Sequence, residues 1–240
     1  MFNEKAVFTE SSSIDFDSFT ALTVIGPYAK HSRITSSGVW TGSLFNITNS
    51  GGIMFKNLGF DGGNGNTRHV TIDDCADEIV FERCVFKNNT LSLPGERGGS
   101  VEIIASAAFF SQCSFISNEA ETGGAMATSG ITSLSLTNCT FSGNEATGNT
   151  GALYMGSGAT ANLLFNTIVD NQAKVFSDLK AYRLGGSITD GKPEVMNNDE
   201  RVYDHYVTRD DMTTISYYNG LDIDGSTIDQ RVQSIEAFVF

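Results

Sequence analysis

Apolar and polar positions alternate along much of this chain in runs of only three to five residues. Val70-Thr71-Ile72, Ile79-Val80-Phe81 and Cys84-Val85-Phe86 are typical, each set off by Gly, Asn, Asp or Ser. Alternation with a period of two predicts short strands, and the small polar dividers predict tight turns. No helical period intervenes between the runs, which argues against βαβ units.

The runs also recur. Cys113-Ser114-Phe115-Ile116-Ser117-Asn118-Glu119-Ala120 returns as Cys139-Thr140-Phe141-Ser142-Gly143-Asn144-Glu145-Ala146, 26 residues later. Cys84-Val85-Phe86-Lys87-Asn88-Asn89 lies 29 residues before the first of these, and Asn166-Thr167-Ile168-Val169-Asp170-Asn171 follows the second by 27. Leu58-Gly59-Phe60 reads as a weaker copy, and Leu22-Thr23-Val24 as a still earlier one after a longer insertion. A second series, Phe55, Phe81, Phe110, Leu136 and Leu163, keeps the same spacing. Small-residue turns, Gly98-Gly99-Ser100, Gly123-Gly124-Ala125 and Thr150-Gly151-Ala152, separate the units.

Units this short bury their apolar side only by stacking on one another. The expected fold is all-β: a coil of short strands with one turn per repeat, each strand pairing in parallel with its equivalent above. Parallel crossovers are nearly always right-handed, so the expectation is a right-handed parallel β-helix of about six rungs. It would fill residues 1–180, with a repeat core at about 44–173. Residues 181–240, where the repeat has stopped, would form a last rung and a loop-rich C-terminal cap.

Stacking turns repeated residues into columns. Phe86, Phe115 and Phe141 form one, continued by Ile168, with rings stacked along the axis. Cys84, Cys113 and Cys139 form another, continued by Asn166. With no CxxC pair and histidines only at 31, 69 and 205, small buried thiols are expected there, not a metal site or a disulfide. Cys75 has no place in this column. Asn89, Asn118, Asn144 and Asn171 fall at a bend, where an Asn tolerates a left-handed backbone and stacked side-chain amides can bond along the column.

Phe-x-x-Asn copies alternating with Gly-Gly-Ala-like turns resemble the repeat of chlamydial polymorphic outer-membrane proteins. They are also similar to related surface-anchored β-helix proteins of the pectin-lyase-like superfamily. The segment 166–173 and the closing Ser234-Ile235-Glu236-Ala237-Phe238 extend the resemblance. It implies a cell-surface or extracellular setting and an adhesive or structural role.

Charge narrows the functions further. The chain has 15 basic and 28 acidic residues, a formal net charge of −13, and so lacks the footprint of a nucleic-acid binder. No apolar run is long enough to span a membrane as a helix, and the first ten residues lack the basic and apolar regions of a secretory signal. Compartment is left open.

The superfamily it resembles includes polysaccharide-degrading enzymes, so carboxylate pairs must be weighed. Asp73 and Asp74, with Asp77 nearby, follow the strand Val70-Thr71-Ile72 and are the candidate catalytic acids. They converge only if one lies in the turn. Arg68 and His69 are the only adjacent basic groups. Asp222-Ile223-Asp224-Gly225 has the wrong glycine spacing for a calcium loop. Ice binding would need regular outward Thr columns, and Thr is scattered. Asn46-Ile47-Thr48, Asn88-Asn89-Thr90 and Asn138-Cys139-Thr140 match the glycosylation triplet, with Asn138 expected inside a strand. The expected role is a non-catalytic scaffold or adhesin without cofactor or metal. It would meet a protein or glycan partner or another copy of itself.

Overall fold

A computed structural model describes residues 6–27, 32–36, 41–62, 67–156, 158–169 and 171–173, with short strands at 179–181, 187–188 and 206–207. Most of the expected capping segment 181–240, including Asp222–Gly225, lies outside the described residues.

Every regular element described is a strand, and the strands stack as a parallel β-solenoid of about six turns. Along each turn the chain visits three sheets in order. The turn beginning at Phe60 runs Gly59–Asp61 in the first sheet, Thr67–Asp73 in the second and Ile79–Glu82 in the third. The next turn runs Val85–Lys87, Val101–Ile104 and Ala107–Ser111. The following two run Ser114–Ile116, Met126–Ser129 and Ser133–Thr137, then Thr140–Ser142, Leu153–Met155 and Thr160–Leu164. Pairing within the three sheets is parallel except where Tyr206–Val207 runs antiparallel to Thr167–Val169. Strand pairing already begins at Ala6–Glu10.

The expected columns stand in register. Phe60, Phe86, Phe115 and Phe141 pair in sequence down the first sheet, with Ile168 beneath. Their rings stack at 4.9, 4.8 and 4.4 Å between centroids, within 9° of parallel. Phe55, Phe81 and Phe110 form the same stack on the third sheet, at 4.8 and 5.0 Å. The two stacks meet edge to face, as at Phe110–Phe115, 5.7 Å apart. All seven rings are fully buried, and each is worth roughly 2–3 kcal/mol of apolar transfer.

One placement differs from the sequence reading. Leu22-Thr23-Val24 is not an early copy of the Cys-x-Phe unit. It belongs to the third sheet, where Val24 pairs with Phe55. The copy above Phe60 in the first sheet is Ile34. Both segments show apolar alternation, and only pairing decides which column each joins.

The corners explain why a turn can be so short. Most carry one residue in the left-handed region and then a buried side chain. Between the third and first sheets the left-handed residues are Asn57, Arg83, Gln112, Asn138 and Phe165, followed by Leu58, Cys84, Cys113, Cys139 and Asn166. After the first-sheet strands they are Asn88, Ser117 and Gly143, followed by Asn89, Asn118 and Asn144. The expected left-handed Asn is therefore corrected by one position. Asn89, Asn118 and Asn144 themselves point inward, and the residue before each takes the left-handed backbone. Asn138 is likewise corrected: it is an exposed left-handed corner residue between two strands, not a strand residue.

On the later turns the buried corner side chains make matching bonds. Asn118 Nδ2 donates to the Phe86 carbonyl, 3.1 Å, and Asn144 Nδ2 to that of Phe115, 3.0 Å. Asn144 Oδ1 accepts the Asn118 backbone N–H, 3.0 Å, and also Asn118 Nδ2, 2.9 Å. The Cys113 thiol donates to the carbonyls of Phe81 and Ser111, both 3.4 Å. The side chain thereby serves backbone groups of the preceding turn, the carbonyls of Phe86, Phe115 and Phe81 and the N–H of Asn118. Leaving them unpaired would cost about 1–3 kcal/mol apiece.

Candidate functional site

Asp73, Asp74 and Asp77 lie where the second sheet bends toward the third. Asp73 ends its strand on the outer face, Asp74 occupies the left-handed corner with φ 50°, and Asp77 is exposed in the loop before Ile79. One of the adjacent pair is thus in a turn, as convergence would require. The two basic neighbours are committed elsewhere. His69 is fully buried, its ring 5.8 Å from that of Phe60 and 6.3 Å from that of Phe86. Its nitrogens have no hydrogen-bond partner among the described residues, and burial pushes its pKa down to about 3.

Arg68 points to the outer side and is nine-tenths buried beneath the loop 91–98. Its Nε donates to the carbonyls of Arg97 and Gly98, both 3.0 Å. Its Nη2 reaches Glu96 at 2.8 Å and its Nη1 reaches Glu102 at 3.1 Å and Thr71 at 3.3 Å. Burial pushes the Glu102 carboxyl up, and the Arg68 charge opposes that shift. Glu102 pairs with Thr71 in the ladder, which places it diagonally from Asp73 on the same outer face. Sequence reasoning missed Glu102, because its nearness to Asp73 arises only from strand pairing.

Beyond Arg68 the outer side of the second sheet is roofed. A fourth, three-stranded sheet, Glu119–Thr122, Glu145–Asn149 and Gln172–Ala173, leaves the coil after the first-sheet strands Ser114–Ile116, Thr140–Ser142 and Thr167–Val169. It covers the outward residues Ala127 and Tyr154, with the Arg97 guanidinium 5.9 Å above the tyrosine ring. The Gly-Gly turns serve this layering. A Cβ at Gly99 or Gly124 would collide with backbone carbonyls of the next turn. A shallow cleft of about 200 Å³, lined by Leu91, Leu93, Pro94, Glu119, Glu121 and Thr147, opens at the edge of the roof.

Among the described residues, no layer covers the outer sides of the first and third sheets at these turns, and their chemistry changes along the axis. On the first sheet one outward column reads Asp61, Lys87, then Ile116 and Ser142, with Arg33 of the preceding turn diagonal to Asp61. Asp61 bonds both Arg33, 3.2 Å, and Lys87, 3.4 Å. On the third sheet Lys56 and Glu82, paired at 2.8 Å, are followed by Ser111, Thr137 and Leu164. The middle column there reads Met54, Val80, Phe109, Ser135 and Asn162. The other first-sheet column ends Ser114, Thr140, Thr167. From Ala107 through Thr167, no outward position on either sheet is charged, and the corner between them carries only Gln112, Asn138 and Phe165.

Cys84, Cys113, Cys139 and Cys75 are free and buried. Burial raises the Cys113 and Cys75 thiols. Cys75, unplaced by the sequence, belongs to the corner between the second and third sheets. There its backbone N–H donates to Ser106 Oγ, 3.0 Å, and its thiol donates to the Ile47 carbonyl, 3.6 Å. Ser50 makes the equivalent bond to Phe16, 3.1 Å.

No family model, curated protein or solved structure matches this chain. Among the described residues, no helix is long and apolar enough to cross a membrane.

Proposed function

We propose that this protein is a non-catalytic structural or adhesive β-helix, presenting its outer surface to a protein or glycan partner or docking as a subunit of a larger assembly. The uncharged outer face spanning the first and third sheets carries this reading. In a chain with a net charge of −13, a broad exposed area free of charge is suited to losing its water against a partner, since ionised groups resist desolvation. Sequence resemblance to surface β-helix repeats adds a cell-surface setting to the proposal.

A polysaccharide-active enzyme is the second reading, favoured by one observation: Asp73 and Glu102 share an outer face, and the Glu102 carboxyl is raised by burial. Two neighbouring carboxyl groups in unlike environments are the kind of pairing glycoside hydrolysis uses. Against it, the Glu102 carboxylate is held by Arg68, and His69 is out of reach of any substrate. Incubation with neutral and acidic polysaccharides decides between the readings. The scaffold predicts no release of reducing ends or unsaturated product. Turnover abolished by Asp73→Asn, Asp74→Asn or Glu102→Gln would overturn it.

A further inference from the structure

We infer that the uncharged face formed by the later turns of the first and third sheets binds a neutral, hydroxyl-rich polysaccharide. This rests on the proposed surface-presenting role and names the partner's chemistry.

The third-sheet part carries five-residue strands in unbroken register. Phe109, Ser135 and Asn162 stand in register in its central column, and Ser111, Thr137 and Leu164 beside them. Neighbouring strands lie ~4.8 Å apart and same-face residues of one strand about twice the ~3.3 Å rise apart. This makes a grid of hydroxyl, amide and apolar groups at the scale of a sugar ring. Around the corner, Phe165 is 45% exposed and Ile116 is 38% exposed. These offer apolar patches to the C–H faces of pyranose rings, while Ser, Thr and Asn both donate and accept bonds with sugar hydroxyls.

Charge selects among partners. A basic protein or polyamine would be drawn to the acidic remainder of the molecule, where Asp73, Glu96 and Glu102 crowd the second sheet. A polyuronate would be repelled by the net charge. A second copy of this chain would bring its own −13, and the face lacks the continuous apolar centre of a homodimer interface, because hydroxyls separate its few apolar side chains. A neutral glycan meets neither repulsion nor an unpaired charge. Nor is the face a regular threonine array: of its columns, the longest run of threonine is Thr140 and Thr167, with Ser114 before them.

The test is affinity electrophoresis and pull-down with the full chain. The probes are cellulose, chitin and a soluble β-glucan, with pectate as the acidic control. Retention by at least one neutral polymer and none by pectate is expected. Ser135→Glu and Thr137→Glu, both outward on the grid, should weaken retention tenfold or more while leaving the melting temperature unchanged. Ser12→Glu adds the same charge at an exposed site of the first turn and should leave binding unaltered. Absence of retention by every neutral polymer overturns the inference, as does retention indifferent to Ser135→Glu and Thr137→Glu. Self-association abolished by those substitutions, without glycan binding, overturns the glycan and leaves the surface-presenting reading standing. Retention accompanied by cleavage of the polymer overturns that reading instead.

Discussion

The early and later turns of this solenoid are built alike inside and unlike outside. Phe86 and Phe141 occupy the same inward column, equally buried. Directly outside, Lys87 gives way to Ile116 and Ser142, and the Lys56–Glu82 pair gives way to Ser111 and Thr137. Core packing constrains the interior on every turn, so its regularity speaks of stability alone. Packing imposes no such constraint on outward positions, and a consistent loss of charge across two sheets therefore carries information about what the surface meets.

The largest effects should come from the interior and should not distinguish the two halves. Phe86→Ala, in the charged half, and Phe115→Ala, in the neutral half, each remove a ring stacked on both sides. Each should cost about 3–5 kcal/mol, read from denaturant melts. A difference between them much above about 1 kcal/mol would show that the halves are not equivalent inside. Solenoid stability is a sum of nearest-neighbour terms, and each of these rings contributes two.

His69 is the place where the interior of the early turns does differ. Extending the strand register by one residue sets it in a column with Leu44, Ser100, Ala125 and Ala152, all buried. Its pKa in the folded protein, about 3, lies below the ordinary 6.5, with burial the main cause and Asp61 opposing. Between these values the unfolded chain takes up a proton that the folded chain refuses. Stability is therefore fully present above about pH 6.5 and falls as the pH drops toward 3, by up to roughly 5 kcal/mol. His69→Leu, which copies Leu44 of the preceding turn, should flatten this dependence in pH-resolved melts. If wild type and His69→Leu lost stability in parallel on acidification, the imidazole would not be the buried neutral group described here.

Much of the interior was legible in the sequence because apolar columns repeat the same residue type. Phe at intervals of 26–29 residues announces a stacked ring without any coordinates. Three things were hidden. Asn88, Ser117 and Gly143 take the left-handed backbone with three different side chains, so the neighbouring, uniform Asn column drew the assignment. Ser50, Cys75 and Ser106 form one corner column but look unrelated, because a hydroxyl and a thiol fill the same role. The neutral face was hidden most completely. Its members are common residues scattered over some sixty positions, and only strand register gathers them.

That equivalence of hydroxyl and thiol supplies the smallest and sharpest test of the comparison. Asn118→Ala removes the partner of the Phe86 carbonyl and of the Asn89 N–H. It should cost about 2–3 kcal/mol, since both groups are left buried and unpaired. Cys113→Ala removes weaker bonds to Phe81 and Ser111 and should cost about 1–2 kcal/mol. Cys113→Ser should lie within about 1 kcal/mol of wild type. Its hydroxyl would do at this corner what Ser106 does at another, where Oγ donates to the Ile104 carbonyl at 2.6 Å and accepts the Cys75 N–H. Equal loss for Ser and Ala at position 113 would mean that the thiol acts through volume alone. The three corners would then no longer share one hydrogen-bonding rule, and the equivalence of early and later turns inside the solenoid would hold for the rings but not for the bends.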